Sequence, residues 1–154
     1  MKTPIKTLLA AAMLSSTIAS APAQADPAAP LTRMGVYTVK SSNCGTEHPF
    51  GQLATTCDHG GAQLRVFVME IGHSDSYSQY AKIQGKSLPR SAIVSSTPVC
   101  WVGAQLKIPC TPGIAVDGFI YEFKLDGYQK GSFTYQSTSI NYPWNTMSTQ
   151  IFIQ

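Results

Sequence analysis

The stretch "AQLRVFVMEIG", residues 62–72, constrains the fold more than any other. Leu64, Val66 and Val68 fall on one side of an extended chain, with Arg65, Phe67, Met69 and Ile71 on the other, the period of two that a strand imposes. Both sides are largely apolar, as expected of a central strand covered on two faces. "MGVYTVK", "YSQYAKIQG", "RSAIVSS", "DGFIYEFKLDGY", "GSFTYQSTSI" and "MSTQIFIQ" repeat the alternation more weakly, and "PVCWVGAQLKIPC" reads as a hairpin around Val102 and Gly103. After the first residues, no segment holds an i, i+3, i+4 apolar period for three turns without a Gly, Pro or β-branched interruption. Seven or eight short strands with turn residues between them predict an all-β fold, an antiparallel β-sandwich in one domain over residues 33–154. An immunoglobulin-like arrangement is one form this can take. Tyr128, between two strands in "KLDGYQKGSF", has the placement of a tyrosine corner, but Trp101 follows Cys100 directly, so the Cys, Trp, Cys spacing of immunoglobulin domains is absent.

The first residues set the compartment. Met1, Lys2 and Lys6 precede the apolar "TLLAAAML", and "APAQA" precedes Asp26. A charged start, an apolar run too short to span a bilayer and an Ala-x-Ala ending predict a signal peptide over residues 1–25, cleaved after Ala25, followed by a flexible leader over 26–32. No lipobox cysteine follows, so a secreted or periplasmic protein is expected, with no membrane insertion of the mature chain. Export places Cys44, Cys57, Cys100 and Cys110 in an oxidising environment, where an even number of cysteines reads as disulfides. Three connectivities are possible. Cys44 with Cys57 and Cys100 with Cys110 is preferred, because each pair brackets a Gly- or Pro-bearing segment able to fold back, and each bridge would contribute about 3 kcal/mol. Zinc is the rival reading, but the cysteines form no C-x-x-C pairs and no H-x-x-x-H follows. No metal and no cofactor are expected.

Charge narrows the partners. Without Lys2 and Lys6 the chain carries nine basic residues against eight acidic ones, and the basic ones are scattered singly. Nucleic acid and anionic membranes need a basic excess that is missing here. Ser, Thr, Asn and Gln, at 36 residues of the mature chain, outnumber the charged side chains about twofold. Such a surface, with Tyr77, Tyr80, Trp101, Tyr128, Tyr135, Tyr142 and Trp144, suits a neutral, hydroxyl-rich ligand, because aromatic faces stack on it and amides fix its orientation. An ordinary soluble exported protein has the same composition.

Catalytic patterns are thin. "CDHGG", residues 57–61, offers Asp58 and His59 as an acid/base pair, but neighbouring side chains point apart, and the plainer reading is a glycine turn entering the central strand. "GHSDS", residues 72–76, holds Ser, His and Asp too close together for a relay and reads as a polar hairpin loop. His48, His59 and His73 lie in separate loops and read as solvated groups rather than a metal site. Glu70 and Glu122 fall in expected strands and Asp58, Asp75, Asp117 and Asp126 in turns, with nothing to single out a glycosidase pair.

One loop stands apart. In "NYPWNTMST", residues 141–149, Pro143 restrains Tyr142 and the turn formers Asn141 and Asn145 flank the aromatics. A stiff loop presenting two aromatics binds at low ordering cost. The alternative is that Trp144 folds over the open end of the sandwich as a lid. "DHGG" with its following strand, and "GYQKGSFTYQSTSINYPWNTMSTQIFIQ", resemble a family of small exported bacterial proteins of unknown function that includes the YolA-like secreted proteins of bacilli. The resemblance runs from about Leu31 onward and is most specific in "STSINYPWNTMST". It implies a single exported domain with no assigned activity and brings no catalytic residues with it.

The expectation is therefore a monomeric, non-enzymatic binding domain for a glycan or an extracellular protein. Tyr142, Trp144, Asn141, Asn145, Trp101 and Tyr128 are its candidate contacts. The alternatives are a secreted hydrolase of cell-wall or host polymers using Asp58 and His59, and an inhibitor of a secreted enzyme such as lysozyme.

Overall fold

The structure, a computed structural model, describes residues 27–154 apart from residues 61 and 129. The expected signal segment and its cleavage point lie outside the described residues. The described chain forms β1 (Arg33–Ser41), β2 (Gly45–Glu47), β3 (Arg65–Ile71), β4 (Tyr80–Ile83), β5 (Lys86–Ser87), β6 (Ile93–Val102), β7 (Gln105–Lys107), β8 (Gly118–Lys124), β9 (Gly131–Thr138) and β10 (Thr146–Ile153). A six-stranded sheet runs β2-β1-β3-β8-β6-β7 and a four-stranded sheet runs β10-β9-β4-β5, every pairing antiparallel. This is the all-β sandwich that the alternation predicts. β2 and β5 add two strands too short to display a period.

β3 lies between β1 and β8, the central position its two apolar sides call for. Val66 and Val68 point into the space between the sheets, where they meet Val36, Val39, Phe123, Phe133, Tyr135, Ile151 and Ile153. The opposite side of β3 is covered as well. Met69 joins Val99 and Ile120 in a second apolar cluster on the outer face, with Phe50, Phe67 and Leu106 packed on it. Phe50 lies so close over β1 that a Cβ at Gly35 would come within 2.6 Å of its ring.

The disulfides are Cys44–Cys57 and Cys100–Cys110, with Cα atoms 6.1 Å and 5.1 Å apart. The second closes the β6–β7 hairpin. "GHSDS" forms no hairpin. It carries the chain from β3 in one sheet towards β4 in the other, with the Asp75 carboxylate accepting from the Tyr77 N–H at 2.9 Å to cap a 3-10 turn at Ser76–Ser78. Residues 28–32, at the leader end, are held by backbone bonds: His73 N–H donates to the Ala29 carbonyl and Thr32 N–H to the Ile71 carbonyl, both at 2.9 Å.

Candidate functional site

The outer face of the four-stranded sheet collects neutral polar side chains because β9 and β10 alternate strictly. Phe133, Tyr135 and Ser137 of β9, with Ile151 and Ile153 of β10, point inward and are buried. Their sequence neighbours therefore face out, and the register pairs Thr138 with Thr146, Gln136 with Ser148, Thr134 with Gln150 and Ser132 with Phe152. β4 adds Tyr80 beside Gln136 and Lys82 beside Thr134. Seven hydroxyl and amide side chains thus stand in register on two strands, and Lys82 is the one charge that these three strands contribute to the paired positions of this face. Thr138 and Thr146 share a hydroxyl hydrogen bond at 2.9 Å, and the Gln150 amide donates to Ser132 Oγ at 3.1 Å. A shallow cavity of about 120 Å³ opens among Tyr80, Lys82, Thr134, Gln136 and Ser148. The Ser87 hydroxyl, with the Lys82 charge behind it, lowers the Tyr80 phenol from its ordinary value.

The β9–β10 connection carries the expected aromatic loop. Asn141 to Trp144 form a turn with a cis Tyr142–Pro143 peptide, closed by Trp144 N–H donating to the Asn141 carbonyl at 2.8 Å. Tyr142 is 76% and Trp144 63% exposed, their rings edge to face with centroids 5.5 Å apart. Trp144 therefore covers no part of the core, which overturns the lid reading. Its φ of 51° is a left-handed conformation that glycine adopts readily and a bulky residue rarely does.

Asn141 and Asn145 serve the chain itself. The Asn141 amide donates to the Ala28 carbonyl, and the Asn145 amide to the Leu31 carbonyl at 2.9 Å. Ser139 Oγ accepts from Leu31 N–H at 3.3 Å and donates to the Asn141 carbonyl at 2.9 Å. Together they pin the turn to residues 28–31. Trp101 lies near the tip of the β6–β7 hairpin, 42% exposed, and Tyr128 follows the Asp126–Gly127 turn, partly buried against the core. Among the described residues neither ring stacks on the Tyr142–Trp144 pair.

Asp58 and His59 separate. The Asp58 carboxylate accepts from Gly60 N–H at 2.8 Å in an exposed turn. His59 is fully buried, with Nδ1 3.0 Å from Ser41 Oγ and Nε2 3.3 Å from the Glu47 carboxylate. A hydroxyl, an imidazole and a carboxylate in line have the order of a hydrolase relay, but the His59 ring is fully enclosed and Ser41, itself buried, reaches only the lining of an outer cavity of about 320 Å³. The trio ties β1, β2 and the Cys44–Cys57 loop together. Desolvation pushes the Glu47 carboxyl up, yet the Thr56 and Cys57 N–H groups, the His59 ring and the Thr56 hydroxyl together outweigh it and lower its pKa. The sequence reading missed Ser41 and Glu47, since their partner lies across a loop that no spacing reveals. Cys44, Glu47 and His59 are the one group of potential metal ligands among the described residues, and Cys44 is committed to its disulfide.

His48 bonds Thr38 at 3.0 Å, and His73 lies edge-on to Phe119. The three histidines do not converge, and His59 is not the solvated group expected. Glu70 is fully buried and accepts from Ser74 Oγ at 2.7 Å, Tyr135 OH at 2.8 Å and Ser137 Oγ, joining β3 to β9 across the sandwich. Burial, then the Glu70 charge, raise the pKa of Tyr121 and Tyr135.

A family model described as "Domain of unknown function (DUF4879)" matches residues 23–153. Neither a curated protein nor a solved structure matches the chain.

Proposed function

The chain belongs to the DUF4879 family of unknown function, and we propose that it is an exported, non-enzymatic domain that binds a neutral glycan along the outer face of its four-stranded sheet. The carrying observation is the register that lines up Ser132, Thr134, Gln136 and Thr138 with Thr146, Ser148 and Gln150, beside the exposed ring of Tyr80. Hydroxyls and amides on a weakly charged face match the donors and acceptors of a sugar chain, and an aromatic ring matches its apolar face. Tyr142 and Trp144, at the tip of the same hairpin, extend the contact and lose little freedom on binding because Asn141 and Asn145 hold their turn. Export is supported by the two disulfides, by the signal pattern over residues 1–25 and by the YolA-like resemblance. The hydrolase alternative gains nothing from Asp58, which is committed to a turn, or from His59, which is enclosed.

The test is a glycan-array and cell-wall sedimentation assay of the oxidised mature protein beside Trp144→Gly and Gln136→Leu. Glycine suits the left-handed φ at position 144, so Trp144→Gly removes the indole without straining the turn and should still fold. Selective binding by the wild type, weakened at least about tenfold in both variants, is expected. Absence of glycan binding, or binding that both variants retain, would sink the reading.

A further inference from the structure

On the opposite side of the molecule, the outer face of the six-stranded sheet carries an apolar cavity of about 290 Å³. Its floor is Tyr37 of β1, Phe67 of β3 and Ile120 of β8. Thr97 of β6, Thr46 and Ile108 complete the wall. Thr46 belongs to the Cys44–Cys57 loop and Ile108 to the Cys100–Cys110 hairpin, so each disulfide fixes one bank. A second cavity of about 320 Å³ adjoins it, shares Lys40 and Phe67, and is polar, with Ser42, Gln63, Arg65 and Glu122 around it.

The register explains the charge at the join. Lys40 of β1 stands opposite Arg65 of β3, which stands opposite Lys124 of β8. Three cations in a cross-strand row repel one another unless anions separate them. Two acids are at hand, and both are engaged. Glu122 lies 3.6 Å from Arg65 Nε and accepts from Ser95 Oγ, while Asp126 pairs with Arg65 at 2.6 Å and Lys124 at 3.0 Å. Lys40 has no ion-pair partner among the described residues. The row is one anion short at the point where the apolar cavity opens.

We propose that this groove binds a small amphiphilic organic anion, its apolar body between Tyr37, Phe67, Ile108 and Ile120 and its carboxylate against Lys40. A straight acyl chain fits the apolar lining, and a carboxylate supplies the negative charge missing from the row. The site is preformed, because both banks are cross-linked and the floor is a central sheet. The groove shares no residue with the paired polar positions of the four-stranded sheet.

Titration calorimetry on the oxidised mature protein with hexanoate, octanoate, decanoate and decanol tests this. Affinity should rise about fourfold per methylene until the groove is filled, and decanoate should bind about tenfold more tightly than decanol. Lys40→Gln should remove the preference for decanoate and leave decanol binding unchanged. Thr97→Trp, which fills the cavity from an outward position, should abolish both. Should Thr97→Trp fail to fold, Ile108→Glu on the exposed hairpin provides the second block and should repel decanoate. Decanoate binding no tighter than decanol in the wild type, or decanoate binding that survives a folded blocking variant, would overturn the proposal.

Discussion

Asp58 and His59 are neighbours in sequence and have opposite fates in the fold. The first is a solvated turn residue, and the second is a buried bridge between Ser41 and Glu47. Removing the bridge leaves a hydroxyl and a carboxylate short of a partner beside the Cys44–Cys57 loop. His59→Ala is therefore expected to cost about 2 kcal/mol, read as a fall in the thermal midpoint of roughly 6–10 °C. Glu47 gives the same cluster a pH signature. Its carboxyl titrates below the ordinary value in the folded chain, so its stabilisation is complete above the unfolded pKa of about 4.3 and is lost as pH falls through the lower folded value. The stability gap between the wild type and Glu47→Gln should hold steady near neutrality and close in acid. A gap of undiminished size at about pH 2, measured by chemical denaturation, would show that the carboxylate is not its source.

At the level of elements, alternation was sufficient where strands are long and one of their faces is sealed. Residues 131–138 and 146–153 form strands as read from sequence, with buried positions alternating through the first and at Ile151 and Ile153 of the second, and Leu64, Val66 and Val68 share one side. β2 and β5 escape such a reading because two or three residues contain no period. The meeting of β3 and β8 is also invisible in sequence. A Cβ at Gly118 would sit 2.0 Å from the Glu70 carbonyl oxygen and 2.9 Å from the Ile71 Cα, both backbone atoms of the paired strand. Neither can yield without opening the ladder. Gly118→Ala is expected to destabilise by about 3 kcal/mol, with hydrogen exchange accelerated first in β3 and β8. A variant matching the wild type in both would mean that the strands can part at that point without loss.

The whole molecule presents two outer sheet faces of different chemistry, one neutral and hydroxyl-rich, the other an apolar groove beside a row of cations. Two disulfides suit a domain working in an oxidising, extracellular or periplasmic setting, and among the described residues no helix is long and apolar enough to cross a membrane. Mass spectrometry of protein recovered from the periplasm or medium of a bacterial host should find a chain beginning at Asp26 with no thiol open to alkylation. A chain still beginning at Met1, retained in the cytosol with reactive thiols, would reject the export reading. The all-β class and the central place of β3 were legible from sequence because each follows from local period, and of the three cysteine pairings open to the sequence the preferred one, which closes two short Gly- or Pro-bearing loops, is the one formed. The partners of His59, the isolation of Lys40 in its row and the pairing of Gln136 with Ser148 came only from the tertiary structure. Each depends on register between distant segments, and register is settled by packing of the whole sandwich rather than by any segment alone.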